Sequence, residues 1–200
     1  MAIENLISKV DRLIIGGAMA YTFLRAQGVA TGSSLVEADR VDLAREILAK
    51  AKAKGCEILL PVDHACGREF KPGTETMVCV GAIPDGWMGL DIGPATRSAF
   101  AAAVRSSQTV VWNGPMGVFE MPPFDAGTRA VADAVVAATA GGATTIAGGG
   151  DTAAAVEEFG LAERLSHVST GGGASLEVLE GKHLVCLDAI DDAAGDHAAR

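Results

Sequence analysis

An α/β domain built on a mostly parallel sheet is the fold class this sequence predicts, and three observations predict it. Short, β-rich apolar runs alternate with helix-patterned segments along the chain. Many of those runs end in glycine-bearing turns that lead straight into a helix, as strand-to-helix junctions do in three-layer α/β folds. The 200 residues are 49% hydrophobic and 20% charged, which is material for one core of domain size rather than for a disordered polyelectrolyte. The expected organisation is one domain over residues 1–190 and a small polar tail over 191–200.

The elements follow in order. Leu13–Ile15 reads as a strand ending at Gly16-Gly17, and the helix from Ala18 to Gln27 is stopped by Gly28. Ser34-Leu35-Val36-Glu37 has the capping-box pattern, in which hydroxyl and carboxylate satisfy free amides, so a helix is expected from there to Lys54. Val41, Ala44, Ile47, Leu48 and Ala51 mark its apolar face, lysines gather late as the helix dipole favours, and Gly55 closes it. Glu57–Val62 and Met77–Val80 read as strands, and Pro94 opens a helix through Val104. Strand Thr109–Trp112, helix Ala126–Ala140, strand Thr144–Ala147 and helix Asp151–Phe159 complete the regular part. Strand His167–Ser169 and helix Ala174–Leu179 come last.

Charge and composition exclude several functions. Sixteen Lys and Arg against 25 Asp and Glu leave a net charge of −9, which argues against a nucleic-acid footprint. Ala130–Ala147 is broken by Asp133, Gly141 and Gly142, so no membrane span is expected. Glu4, Lys9 and Asp11 stand where a secretory signal needs an apolar block, so the expected location is the cytoplasm. Cys56, Cys66, Cys79 and Cys186 form no CxxC pair. A zinc site using His64 lacks tight ligand pairs, and reduced thiols are the better reading.

Four junctions carry the chemistry: Gly16-Gly17, Asn113-Gly114-Pro115, Gly148-Gly149-Gly150-Asp151 and Gly171-Gly172-Gly173. In a parallel sheet they fall on one edge, where ligands bind. Glycine lets backbone amides approach an anion, and the free amides of the following helix point at it. Tight turns alone would explain any one of them; together they favour phosphate. Asp151 suits equally a helix N-cap and a magnesium ligand. None of these turns contains a lysine, and the P-loop, GxGxxG and GxSxG patterns are missing.

The same residues resemble the phosphoglycerate kinase family. The resemblance rests on Gly16-Gly17-Ala18-Met19-Ala20-Tyr21-Thr22-Phe23, Leu60–Asp63, Gly86–Pro94, Val111–Glu120, Gly148–Thr152 and Ser169–Ser175, in that family's order. It implies a Rossmann-like three-layer domain, the nucleotide-binding C-terminal domain of that family, and reversible phosphoryl transfer from 1,3-bisphosphoglycerate to ADP. It implies that Gly16, Gly17, Leu35, Gly89 and Leu90 line the adenosine slot. Asn113, Pro115, Val118 and Glu120 would lie along the nucleotide, and Gly149, Gly150, Asp151 and Thr152 at its phosphates. Asp151 would hold Mg²⁺, while Gly150 and Gly173 would aim amides at the phosphoryl group in flight.

The resemblance also implies what is not here: the domain that binds 3-phosphoglycerate, and the strand with a GGAKVSDK-like loop expected ahead of the helix near Ile3. On that reading the sheet lacks its first strand. The chain then supplies the Mg–nucleotide site of a kinase that turns over only with its other half, or acts as an autonomous nucleotide-binding module. ADP or ATP is the expected partner, and full-length members are expected to be monomeric.

Overall fold

The computed structural model describes residues 2–169. The order of elements is α1 (Ala2–Leu6), β1 (Arg12–Ile14), α2 (Gly17–Ala26), α3 (Val41–Lys54), β2 (Glu57–Leu59), β3 (Asp63–Gly67), β4 (Thr76–Val80) and β5 (Met88–Ile92). Then follow α4 (Pro94–Arg105), β6 (Thr109–Asn113), α5 (Ala126–Ala140), β7 (Thr144–Gly148), α6 (Gly150–Glu158) and β8 (His167–Val168). β1 and β2 pair in parallel, and β6, β7 and β8 form a second parallel sheet in that order.

Helices pack on one face of both sheets and on the second face of β1 and β2. On one face Phe100 and Val104 of α4, Val131 and Val135 of α5 and Val156 of α6 enclose Trp112 and Ala147. Ile14 and Leu59 from the first sheet pack on that same cluster as Val110 and Val168 from the second, so one core underlies both sheets. On the other face Ile15, Leu13 and Ile58 meet Ala20 and Phe23 of α2 and Ala44 and Ile47 of α3. Full burial of side chains the size of Phe100 or Ile15 stabilises the fold by ~1.5–3 kcal/mol each. The three-layer α/β class is the one the alternation of strands and helices predicts.

Three local expectations change. The strand expected over Glu57–Val62 stops at Leu59; Pro61 has no N–H to continue a ladder, and the chain turns into β3. β3 is then the centre of an antiparallel block, ordered β4-β3-β5, inside an otherwise parallel fold. Ser34 and Glu37 do not open a helix: the Ser34 hydroxyl accepts the Gly89 amide at 2.9 Å, and the Glu37 amide donates to the Thr22 hydroxyl at 3.1 Å. A single 3-10 turn, Ala38–Arg40, intervenes before α3 begins at Val41. Helix Ala174–Leu179 and the tail 191–200 lie outside the described residues.

Candidate nucleotide-phosphate site

Three of the four glycine junctions stand at the carboxyl ends of β1, β6 and β7, and the fold stitches them together. The Gly17 amide donates to the Met116 carbonyl at 3.1 Å, which ties the first turn to the second. The second is tied to the third through Thr152, whose buried hydroxyl accepts the Gly114 amide at 2.7 Å. The indole N–H of Trp112 donates to the Gly114 carbonyl at 2.8 Å, and Met116 is pinned to α5 by Thr128 at 3.0 Å. Gly149 has φ +89°, and any Cβ there would press on the Asn113 side-chain oxygen. Glycine is therefore required at that position on two counts.

The helix starts around this edge differ in what caps them. Asp63 of β3 caps α4: its carboxylate accepts the amides of Ala95 and Thr96 at 2.8 Å each and the Thr96 hydroxyl at 2.6 Å. Burial raises the Asp63 pKa, but the Thr96 hydroxyl and these two amides outweigh it and hold the carboxyl below its ordinary value. Asp91 of β5 serves α5, accepting the Gly127 amide at 2.6 Å and its neighbour Ile92 at 2.8 Å. Burial dominates there, and the Asp91 pKa is pushed up to about 7.

Among the described residues no side chain caps α2 or α6, whose N-caps are Gly16 and Gly149. Asp151 sits within the first turn of α6, exposed to solvent, so it does not take the capping role that its sequence position allowed. An exposed carboxylate beside uncapped amides suits Mg²⁺, which is commonly held by one or two carboxylates together with substrate phosphates. The Thr152 hydroxyl is engaged by Gly114, which leaves its amide for an anion.

The remaining expected residues are placed as follows. Leu35 is 72% exposed, and Gly89 lies between the Ser34 hydroxyl and the buried Tyr21. Leu90 is buried with Met121 and Phe124, and its carbonyl holds the Val118 amide at 2.9 Å. Pro115 and Val118 are half-buried on the turn after β6, while Asn113 and Glu120 are exposed. Gly150 opens α6. Gly173, with Gly171 and Gly172, lies outside the described residues. His64 faces Cys79 across β3 and β4, and among the described residues no group of three His, Cys, Asp or Glu is placed to hold a metal ion.

Comparison with known proteins decides the family. The model of the family described as phosphoglycerate kinase matches residues 1–182. This chain belongs to the phosphoglycerate kinase family. The phosphoglycerate kinase of Clostridium novyi (strain NT) is 58% identical over 191 residues, 95% of this chain and 47% of that protein. That of Synechococcus sp. (strain CC9311) is 56% identical over 193 residues, 96% of this chain and 48% of that protein. The solved phosphoglycerate kinase of Coxiella burnetii superposes with a TM-score of 0.87 at 44% identity, covering 90% of this chain and 47% of that one. That of Pyrococcus horikoshii OT3 gives 0.80 at 29% identity, over 94% of this chain and 47% of that one. The chain thus spans about half the length of the phosphoglycerate kinases it matches. No helix among the described residues is long and apolar enough to cross a membrane.

Proposed function

We propose that this chain supplies the Mg–nucleotide half of the phosphoglycerate kinase reaction, in which 1,3-bisphosphoglycerate and ADP exchange a phosphoryl group to give 3-phosphoglycerate and ATP. One observation carries the reading: of the helix starts around the glycine-turn edge, α4 and α5 are capped by buried carboxylates, while α2 and α6 are left to glycine. The Gly17 amide is taken by the Met116 carbonyl, but among the described residues no side chain answers the amides that open α6, and that helix start is an anion site.

The residues divide the work. Gly16, Gly17, Leu35, Gly89 and Leu90 form and back the adenosine slot, and Asn113, Pro115, Val118 and Glu120 run along the nucleotide, with Glu120 toward the ribose. The amides of Gly149, Gly150, Asp151 and Thr152 hold phosphate, and Gly150 and Gly173 stabilise charge on the transferring group. Asp151 would ligate Mg²⁺, which when bound neutralises phosphate charge and orients it. The phosphoglycerate partner is held only when the other half of the enzyme is present, since transfer needs a positioned acceptor.

A second reading, an autonomous nucleotide-binding module without catalysis, is favoured for the chain alone by one feature. None of the glycine turns carries a lysine or arginine, and transition-state charge in phosphoryl transfer normally meets such a cation. Calorimetry with Mg–ADP tests the shared claim, and heat that does not distinguish ADP from GDP refutes it. ATP consumption with 3-phosphoglycerate, after adding a separately expressed N-terminal half from a relative, separates the two readings. Turnover supports the kinase half; nucleotide binding without turnover supports the module.

A further inference from the structure

The antiparallel block β4-β3-β5 carries a group of soft donors that the glycine-turn edge does not use. Side chains alternate along a strand, and directly opposed residues share a face. The pairs His64–Cys79 and Cys66–Met77 therefore set an imidazole, two thiols and a thioether on one face of β3 and β4. Helix α2 lies over that face: the Tyr21 ring is 5.5 Å from the His64 ring, and Tyr21, Leu24, Ile83 and Trp87 enclose Cys66 and Cys79. His64 and Cys66 are wholly buried, Cys79 nearly so, and Met77 is half-buried at the rim.

Two features mark this group as more than packing. Among the described residues neither nitrogen of the buried His64 ring has a hydrogen-bond partner, and the Gly81 carbonyl lies near it without reaching hydrogen-bond geometry. Such a group is costly to leave unanswered inside a protein. The second feature is the sulfur pair: burial, and then the Cys79 thiol beside it, push the Cys66 thiol up. Cys66 and Cys79 are diagonal neighbours across β3 and β4. Diagonal residues of an antiparallel pair stand ~7–8 Å apart, beyond what a disulfide bridges without moving the backbone. Two metal–thiolate bonds of ~2.3 Å, the length thiolate makes with zinc, span about 4.6 Å between sulfurs, against ~2.05 Å in a disulfide.

We propose that Cys66 and Cys79, with Met77 at the rim, form a buried binding site for a soft monovalent d10 cation, Cu(I). Thiolate and thioether sulfurs select that ion. A structural Zn²⁺ takes four tetrahedral ligands, whereas among the described residues no three of His, Cys, Asp or Glu converge, so His64 is a neighbour of the metal and not a ligand. Binding replaces two S–H bonds by two S–Cu bonds and releases two protons to solvent, with the oxidation state of copper unchanged. The thiolates so formed offer the His64 N–H the acceptor it lacks, and hydrogen bonds of that kind orient metal ligands. None of these donors is assigned to the nucleotide, so the site stands or falls independently of that reading.

The test titrates the reduced 200-residue chain with Cu(I), without oxygen and against the competing chelator bicinchoninate. The expected result is one Cu(I) per chain held against the chelator, with sulfur ligation in X-ray absorption. Cys66→Ala and Cys79→Ala should each abolish that retention. His64→Phe, which keeps a ring against Tyr21, should weaken it ~10–100-fold. Cys56→Ala, in a separate cluster with Ile7 and Ala51, should leave it unchanged. Each variant is melted first, and where one does not melt cooperatively the unaltered chain decides. There Ag(I), of the same charge and softness, should protect Cys66 and Cys79 from alkylation in mild urea, read by mass spectrometry. The site is refuted if bicinchoninate strips the folded chain, if both alanine variants keep Cu(I), or if nitrogen or oxygen ligation replaces sulfur. Zn²⁺ protecting these thiols as well as Ag(I) does would refute the choice of ion, and unchanged affinity in His64→Phe would remove His64 from the site.

Discussion

The helix starts of this domain are of two kinds. Those of α4 and α5 are filled from inside the protein by Asp63 and Asp91, acceptors 32 and 36 residues away in sequence from the amides they serve. Those of α2 and α6 follow glycine, lie at the ends of β1 and β7, and among the described residues receive no side chain. A helix start whose amides are satisfied within the fold is structure; one that is left open where two loops are held together is a place for a ligand. The difference predicts that damage to the first kind shows in stability, and damage to the second in binding.

The largest effect is expected at α4. Asp63→Ala removes the acceptor for two amides and a hydroxyl in a buried place, and should cost roughly 3 kcal/mol or more in urea unfolding. A loss below ~1 kcal/mol would mean the cap is not what holds α4.

Asp91 distinguishes the two filled starts by pH. Its folded pKa of about 7 lies above the unfolded value of about 3.9. Between those values the native state binds more protons, so this contribution to stability falls as pH rises from about 4 to about 7 and is flat above. Asp63 has the opposite sign: its pKa is lowered, and its contribution is lost as pH falls through the folded value. Asp91→Asn should therefore flatten the decline between pH 4 and about 7, read from melting curves across that range. An unchanged decline would show that another group sets it.

How far these contrasts were legible follows from their range in sequence. β1, α2, α5, β7 and α6 were readable because period, glycine and local capping chemistry are written in neighbouring residues. The glycine turns were readable as phosphate candidates for the same reason. The antiparallel block was not, because Asp63, His64 and Cys66 do not alternate as a half-buried strand should, and β5 reads as a turn-rich stretch around Gly86 and Gly89. Ser34 misled because its hydroxyl serves a distant amide, Gly89, in place of the helix it precedes. The capping roles of Asp63 and Asp91, and the Thr152 clasp on Gly114, join residues that only the fold brings together.

The smallest effect on stability is expected at Asp151. Asp151→Asn changes an exposed side chain that caps nothing, so unfolding should shift by less than ~0.5 kcal/mol. Mg–ADP affinity should nonetheless fall, with metal-free ADP binding nearly unchanged. Equal losses with and without metal would remove Asp151 from the metal site.

The contrast between filled and open helix starts is tested most directly by amide NMR of the chain titrated with Mg–ADP. The expected shifts are at Gly16 and Gly149–Thr152, with Ala95, Thr96 and Gly127 unmoved because their amides are already taken by Asp63 and Asp91. Shifts centred on Ala95, Thr96 or Gly127, or none at Gly149–Thr152 at saturating nucleotide, would contradict it.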